Sequence, residues 1–459
     1  MSTRPLDRSA HLARRARLAA LLGGRPALLA AGAPSPRNYA ASTFPFRAAS
    51  HFLYLVGAPI PGAMLLVEGE RATLFTTPNT AADALWHGAQ PSFDELAAQT
   101  GCAIRALDTL PEALKRADVA TLPAIDLATC AQQSTLLGRA VRPGALAPID
   151  EPLADAMIAL RLALDDSAVR SMRAAVATTT RAHMAGMRAT RPGVRESDVR
   201  AAMEREIVAD GGAPAYGSIV TVHGEVLHND VHHNVCRAGD LLLADVGAES
   251  ADGWASDVTR TWPVSGTFSP TQRAIYEVVL AANRAAIDAV APGVRYRDVH
   301  LVAARTIAAG LVELGILNGD VQSLVDDGVT ALFFPHGVGH LLGMDVHDLE
   351  DLGDRAGYAE GRTRSAQFGL SYLRLDRDLT PGMAITIEPG FYVVPAIFAD
   401  PALAELAEGR VNRDVLARYA DVRGIRIEDD VLVTETGAEV LTHAIPKSVA
   451  DIEAVLAAR

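Results

Sequence analysis

The segment Pro192-Gly193-Val194-Arg195 with Asp198-Val199 returns at the same offsets as Pro292-Gly293-Val294-Arg295 with Asp298-Val299. A long helical segment precedes each copy, roughly residues 166–190 and 270–291, and another helix follows. Val169, Met172, Val176 and Met187 give the first of these helices one apolar face. Ser269 and Pro270 provide an N-cap and a first-turn proline for the second. A shared Pro-Gly turn between unrelated helices would explain part of this pattern. Six identities at matched offsets favour an internal duplication. A duplicated domain has a crevice between its halves, and residues following each copy can converge there.

Five metal-capable side chains follow the two copies: Asp245 and Asp257 after the first, His340, Glu388 and Glu428 after the second. Asp245 ends the apolar run Leu241-Leu242-Leu243-Ala244, Glu388 closes Ile385-Thr386-Ile387, and Glu428 closes Ile425-Arg426-Ile427. A carboxylate at the end of a buried strand faces a desolvation cost of several kcal/mol unless a cation meets it. Four carboxylates and one imidazole, with no thiolate, suit a pair of divalent ions such as Mn²⁺, Co²⁺ or Zn²⁺. Residues 242–264 read as a hairpin with an Asp252-Gly253 turn, Asp245 on one strand and Asp257 on the other. Asp257 alone would ordinarily be a solvated turn residue. Arg426 and Glu428, read as one strand face, would alone make a buried ion pair.

The stretch Phe333-Phe334-Pro335-His336-Gly337-Val338-Gly339-His340 lacks the acidic residue of a His-Glu-x-x-His site, and its glycines suggest close backbone approach. His340 reads as a ligand, His336 as a polar neighbour, and His347 offers a third imidazole. His223, His228, His232 and His233 crowd another loop, where exposure explains most of them better than a second metal site does.

The chain is too long for one ordinary core, and its 459 residues point to two domains. A net charge of −13 argues against nucleic-acid binding. No apolar stretch reaches the ~18–20 residues that span a bilayer. Arg14-Arg15 before Leu18–Leu22 imitates a leader, but Gly23, Gly24 and Pro26 cut the run short, and an amphipathic helix followed by a strand at Ala27–Ala31 fits better. Three scattered cysteines, Cys102, Cys130 and Cys236, fit a reducing cytoplasm. The first ~150 residues alternate short helices with apolar strands at Phe52–Val56, Met64–Val67 and Thr73–Phe75, a small α/β domain with no catalytic constellation. Pro143, Gly144 and Pro148 mark a seam, and the domains are expected at 1–152 and 153–459.

Taken in order, several of these segments resemble the proline-specific pita-bread metallopeptidases, the aminopeptidase P and prolidase family. They are the Asp245–Val264 hairpin, Phe334–His340, Asp345-Val-His347-Asp348, Leu379–Tyr392 and Gly424–Asp430. Arg37-Asn38, Phe44–Arg47 and Phe52–Gly57 are similar to the family's N-terminal domain. The resemblance implies an α/β N-terminal domain followed by an α+β pita-bread (creatinase/aminopeptidase-like) catalytic domain with an internal pseudo-two-fold repeat. It also implies a dinuclear centre, commonly manganese, on Asp245, Asp257, His340, Glu388 and Glu428, with Glu388 relaying a proton from water. His228 and His347 fall at the substrate-facing histidines, while His336 and Arg426 match partners behind the ligands. Tyr216, Arg374, Arg377 and Tyr392 are candidates to contact substrate, the arginines through a proline carboxylate or as surface ion pairs.

The expected reaction is hydrolysis of the bond between an N-terminal residue and a following proline in a peptide, by a homodimer or homotetramer. Prolidase activity restricted to dipeptides is the alternative, and a non-peptidase of the same fold a further one; metal-free and merely binding members of the fold should have lost ligands. The turn Glu249–Gly253 is one residue longer than the family's usual one. The loop Ile219–Leu227 lacks its Ser-Gly-x-Asn character, and His51 replaces a common acidic residue.

Overall fold

A computed structural model describes residues 7–115 and 118–459. The chain divides into two units, Met1–Leu162 and Ala163–Arg459.

In the first unit, helix α1 (Arg8–Leu21) precedes strand β1 (Ala27–Ala30), helix α2 (Ser50–Val56), β2 (Met64–Glu68), β3 (Arg71–Thr76), β4 (Ala103–Ala106) and β5 (Ala120–Thr121). The sheet order is β4-β3-β2-β1-β5. β2 runs antiparallel to both neighbours, whereas β4 and β5 join in parallel. Residues Phe52–Val56, expected as a strand, belong instead to α2, every residue of which is buried. An apolar run buried on all sides carries no periodicity to separate strand from helix. Gly57 ends it in the left-handed region at φ 79°.

Helix α3 (Glu151–Arg161) also lies in this unit. The Tyr54 hydroxyl donates to the Leu160 carbonyl at 2.9 Å, and Arg161 reaches His51 Nδ1 at 3.0 Å. These bonds carry the unit past the 152/153 seam anticipated from sequence, to Leu162.

The second unit repeats itself down to individual hydrogen bonds. Helices α4 (Asp166–Ala189) and α5 (Glu196–Ala209) flank one Pro-Gly turn, and α6 (Pro270–Asp288) and α7 (Tyr296–Glu313) the other. Gly193 N donates to Cys236 O and Cys236 N to Val194 O; in the second copy Gly293 N donates to Leu379 O and Leu379 N to Val294 O, all at 2.8–2.9 Å. Each strap then turns at a glycine with positive φ, Gly239 at 95° and Gly382 at 89°. Beyond those turns run β7 (Leu241–Asp245) and β9 (Ala384–Ile387). Asp245 and Glu388 therefore stand equally far past equivalent glycines.

In the first copy β7 pairs antiparallel with β6 (Ile219–Thr221) and β8 (Thr259–Pro263). In the second, β10 (Gly390–Tyr392) pairs with β11 (Gly424–Arg426), and β9 pairs with β12 (Asp429–Val433), which continues to β13 (Ala438–Val440). The copies join where Glu428 N donates to Thr259 O at 3.0 Å and Thr261 Oγ1 to Arg426 O at 3.1 Å. The β7–β8 hairpin forms as anticipated, but the ladder pairs Asp245 with Thr259, so Asp257 lies just before β8. Its longer tip closes on itself through Gly253 N to Ser250 O and Ser250 N to Trp254 O, each 2.8 Å.

Candidate metal centre

Backbone geometry brings the acids together. Glu388 follows the end of β9, and Glu428 occupies the break between β11 and β12, where the chain exchanges one strand partner for another. Arg426 and Glu428 are thus not on one strand, as sequence alone suggested; they meet through Thr259. Arg426 Nε donates to Thr259 Oγ1 at 2.9 Å, and that hydroxyl donates to Glu428 Oε2 at 2.7 Å. Asp257, His340 and Glu428 each place a ligand atom within 4.8 Å of the other two. His340 Nε2 lies 3.4 Å from Asp257 Oδ2 and 3.6 Å from Glu388 Oε1. Asp245 receives the Tyr216 hydroxyl on Oδ1 at 2.5 Å and Arg426 Nη2 on Oδ2 at 2.6 Å.

So many acids in a buried site act on one another. Burial, with Asp257, raises Asp245 to about 6 against the pull of Arg426 and the Tyr216 hydroxyl. Burial raises Glu388 to about 7 and Glu428 well above the carboxylate range. Burial alone would lower His340, but its contacts with Asp257 and Glu388 outweigh that and raise it to about 9. The site gathers negative charge that only protons or a cation can neutralise.

The donor set fits divalent cations. His340 Nδ1–H is committed to the Leu341 carbonyl at 2.9 Å, which leaves Nε2 facing the carboxylates as a ligand atom. Asp257 is held through its backbone N–H by Asp430 Oδ1 at 3.1 Å, and Ser256 Oγ donates to Asp430 Oδ2 at 2.8 Å. These contacts leave carboxylate oxygens turned toward one another, with a hard-oxygen and imidazole character.

Behind the acids runs a hydrogen-bonded chain. Arg426 Nη1 donates to the Tyr392 hydroxyl at 2.9 Å, which meets His336 Nε2 at 3.0 Å, while His336 Nδ1 bonds the Gly337 carbonyl at 2.8 Å. His336 is lowered to about 3, by burial first and then by Arg426, and is neutral. Tyr392, a candidate for substrate contact, is fully buried and spends its hydroxyl here. Tyr216 likewise turns its hydroxyl to Asp245 rather than to an opening.

His347 packs edge-on against His340, ring centroids 4.2 Å apart, and is lowered to about 3 by burial and by His340. His228 is exposed, and burial of part of its ring, together with Arg426 and Arg374, lowers it from its ordinary value. Arg374 pairs with Glu350 at 2.5 Å and lines, with His340 and Asp348, a small open cavity. Arg377 instead gives its donors to the Ala356 and Arg355 carbonyls, the second at 2.7 Å, so it braces the main chain. Of the loop histidines, His232 Nε2 meets the Ser218 carbonyl at 2.8 Å, His223 faces Glu225 at 3.2 Å, and His233 is exposed.

Sequence reasoning missed Thr259, Asp430 and a buried network in which Arg260 pairs with Asp429 at 2.8 Å and Lys447 reaches the same carboxylate at 2.5 Å. The signal was there: charged residues inside the apolar runs 258–264 and 427–433, and a lysine in a chain with only two.

A family model described as metallopeptidase family M24 matches residues 170–435, and one described as the aminopeptidase P N-terminal domain matches 11–121. The chain is 33% identical over 432 residues to the Xaa-Pro dipeptidase of Homo sapiens, covering 90% of this chain and 84% of that protein. It is 33% identical over 427 residues to a probable Xaa-Pro aminopeptidase of Paracoccidioides lutzii, covering 89% and 87% respectively. Among solved structures, aminopeptidase PepP of Pseudomonas aeruginosa superposes with a TM-score of 0.82 at 34% identity, covering 99% of this chain and 98% of that one. Zinc-substituted aminopeptidase P of E. coli, in complex with product, gives 0.79 at 28%, covering 99% of each.

Proposed function

The chain belongs to metallopeptidase family M24, and from that membership we propose that it is a metal-dependent hydrolase of the peptide bond between an N-terminal residue and a following proline. The observation that carries this reading is the convergence of Asp257, His340 and Glu428, with Glu388 and Asp245 beside them, in a buried site. Asp245, Asp257, His340, Glu388 and Glu428 would hold a pair of divalent cations, manganese first among those the oxygen-rich set suits. Bound there, such ions supply Lewis acidity and lower the pKa of an attacking water.

The chain's own groups divide the remaining work. Glu388 is the most open of the five, its side chain 17% exposed, and it takes the proton of the attacking water. His228 and His347, both lowered by burial and so neutral, donate N–H groups to the carbonyl oxygen as charge develops on it. Arg426 fixes Asp245, and Tyr392 and His336 fix Arg426. Arg374, on the cavity that His340 also lines, offers a cation to a substrate carboxylate.

Both relatives' names describe Xaa-Pro substrates and differ in length preference. We favour the aminopeptidase, with prolidase as the second reading because Arg374 could anchor the free carboxylate of a dipeptide. Three free, buried cysteines support a cytoplasmic setting, and no helix among the described residues is long and apolar enough to cross a membrane. The assembly is proposed as at least a homodimer. The test is to compare an Xaa-Pro dipeptide with an Xaa-Pro-Xaa tripeptide, beside controls with alanine in second position. Faster tripeptide cleavage supports the aminopeptidase, dipeptide-only cleavage the prolidase, and equal cleavage of the alanine controls sinks proline specificity.

A further inference from the structure

Two buried polar side chains occupy matched places in the duplication and address the same feature of the site. His183 on α4 and Asn283 on α6 each lie nine residues before the Pro-Gly turn of their copy, at Pro192 and Pro292. Both are fully buried on helix faces that are otherwise largely apolar. Nothing about a helix's own stability calls for an imidazole or an amide there, and an unsatisfied one would cost free energy.

Each is spent on the backbone that carries the acids. His183 Nε2 lies 3.0 Å from the carbonyl of Val246, the residue after Asp245. Val246 N in turn donates to the carbonyl of Val258, the residue after Asp257, at 3.0 Å. Asn283 Nδ2 donates to the carbonyl of Ile387, the residue before Glu388, at 3.1 Å, and to that of Ile427, the residue before Glu428, at 3.3 Å. Asn283 thus reaches the chain next to both carboxylates of its copy, and His183 reaches the chain next to Asp245, from which the Val246 N–H carries the contact on to the residue after Asp257.

The chemistry of the contacts agrees. A carbonyl partner makes His183 Nε2 the protonated nitrogen, and His183 Nδ1 is buried with no partner, so the ring is a neutral single donor. Asn283 keeps its amide orientation because Lys447 Nζ donates to its Oδ1 at 2.9 Å, which leaves Nδ2 as the donor. Val246 and Ile427 lie just beyond the ends of β7 and β11, and there a donor from the helix reaches the carbonyl.

We propose that His183 and Asn283 are duplicated positioning residues: each helix clamps the strand ends that bear its copy's two carboxylates, holding them at the spacing that divalent cations require. The inference rests on the reading of those acids as metal ligands. Neither residue touches substrate or metal; each acts through the carbonyls it holds. Losing a partner behind a ligand weakens metal binding by about 10–100-fold, and the same range applies here.

The test measures Mn²⁺ affinity of the metal-free full-length chain by calorimetry for wild type, His183→Phe, His183→Asn, Asn283→Leu and Asn283→Asp. Asn283→Asp keeps the acceptor for Lys447 but removes the donor, which separates clamping from the ion network. The proposal expects weaker Mn²⁺ binding by about 10–100-fold in His183→Phe, Asn283→Leu and Asn283→Asp, and recovery of most of the affinity in His183→Asn, which restores a donor. Wild-type affinity in folded donor-deleting variants overturns it, whereas a wild type that binds no Mn²⁺ overturns the metal reading instead. Should the deletions not fold, the wild type decides by NMR with ¹⁵N-labelled histidine and asparagine. The proposal expects the Nε2–H tautomer at His183 and side-chain protons at His183 and Asn283 whose exchange slows on loading with diamagnetic Zn²⁺. A Nδ1–H tautomer, or exchange indifferent to Zn²⁺, overturns it.

Discussion

Arg426 and Asp245, 181 residues apart, meet at 2.6 Å in the buried site, one at the end of β11 in the second copy and the other at the end of β7 in the first. The guanidinium also holds the Tyr392 hydroxyl and Thr259 Oγ1, so three of its nitrogens are placed at once. It is the arginine bonded to the Asp245 carboxylate, and it ties the two copies together.

Lysine cannot reproduce that fork, because its ammonium is a single point of charge. Arg426→Lys is therefore expected to lower kcat/KM on an Xaa-Pro peptide by about 10–100-fold while the chain stays folded. Arg426→Ala leaves Asp245 buried without its partner and should destabilise the metal-free protein by about 3–5 kcal/mol. Denaturant unfolding and steady-state kinetics check the pair; full activity in the lysine variant would contradict this role.

Without metal, His340 carries a pH signature. Burial works against its charge, but Asp257 and Glu388 raise its folded value to about 9, above the ordinary 6.5. A raised base contributes stability that is complete below the unfolded value and is lost as pH rises through the folded one. The metal-free melting temperature should fall between pH 6.5 and about 9, and fall less steeply in His340→Gln. Parallel curves for the two proteins would show that the imidazole does not sense the acids.

The two candidate arginines should part company. Arg374 sits on the cavity beside His340, paired only with a half-exposed Glu350, so Arg374→Ala should raise KM for an Xaa-Pro dipeptide with little change in melting temperature. Arg377 is committed to the Arg355 and Ala356 carbonyls, so Arg377→Ala should lower stability and leave KM unchanged. Kinetics and thermal unfolding on both variants decide, and a KM effect at Arg377 alone would reverse the assignment.

Much of this site was legible because charge at the end of an apolar run is costly and therefore informative. Asp245 and Glu388 stood out that way, and the repeated Pro-Gly segments correctly announced the two halves that bring them together. Asp257 was less legible, since it precedes its strand and gains meaning only from Asp430 and His340 across the fold. Phe52–Val56 misled because burial on every side erases periodicity. Tyr392 and Arg377 lay in plausible segments, but which way a side chain turns depends on partners far away in sequence, such as Arg426 for the first. His183 and Asn283 were hidden for the same reason: a polar residue within a long helix looks unremarkable until the carbonyl it meets is known.

The most direct test is metal content measured together with activity. The purified chain should carry up to a pair of divalent ions, lose Xaa-Pro hydrolysis on exhaustive chelation, and regain it on addition of Mn²⁺, with Asp257→Ala and Glu428→Ala unable to recover. Full hydrolysis by a chain shown to be free of metal would contradict the account at its centre.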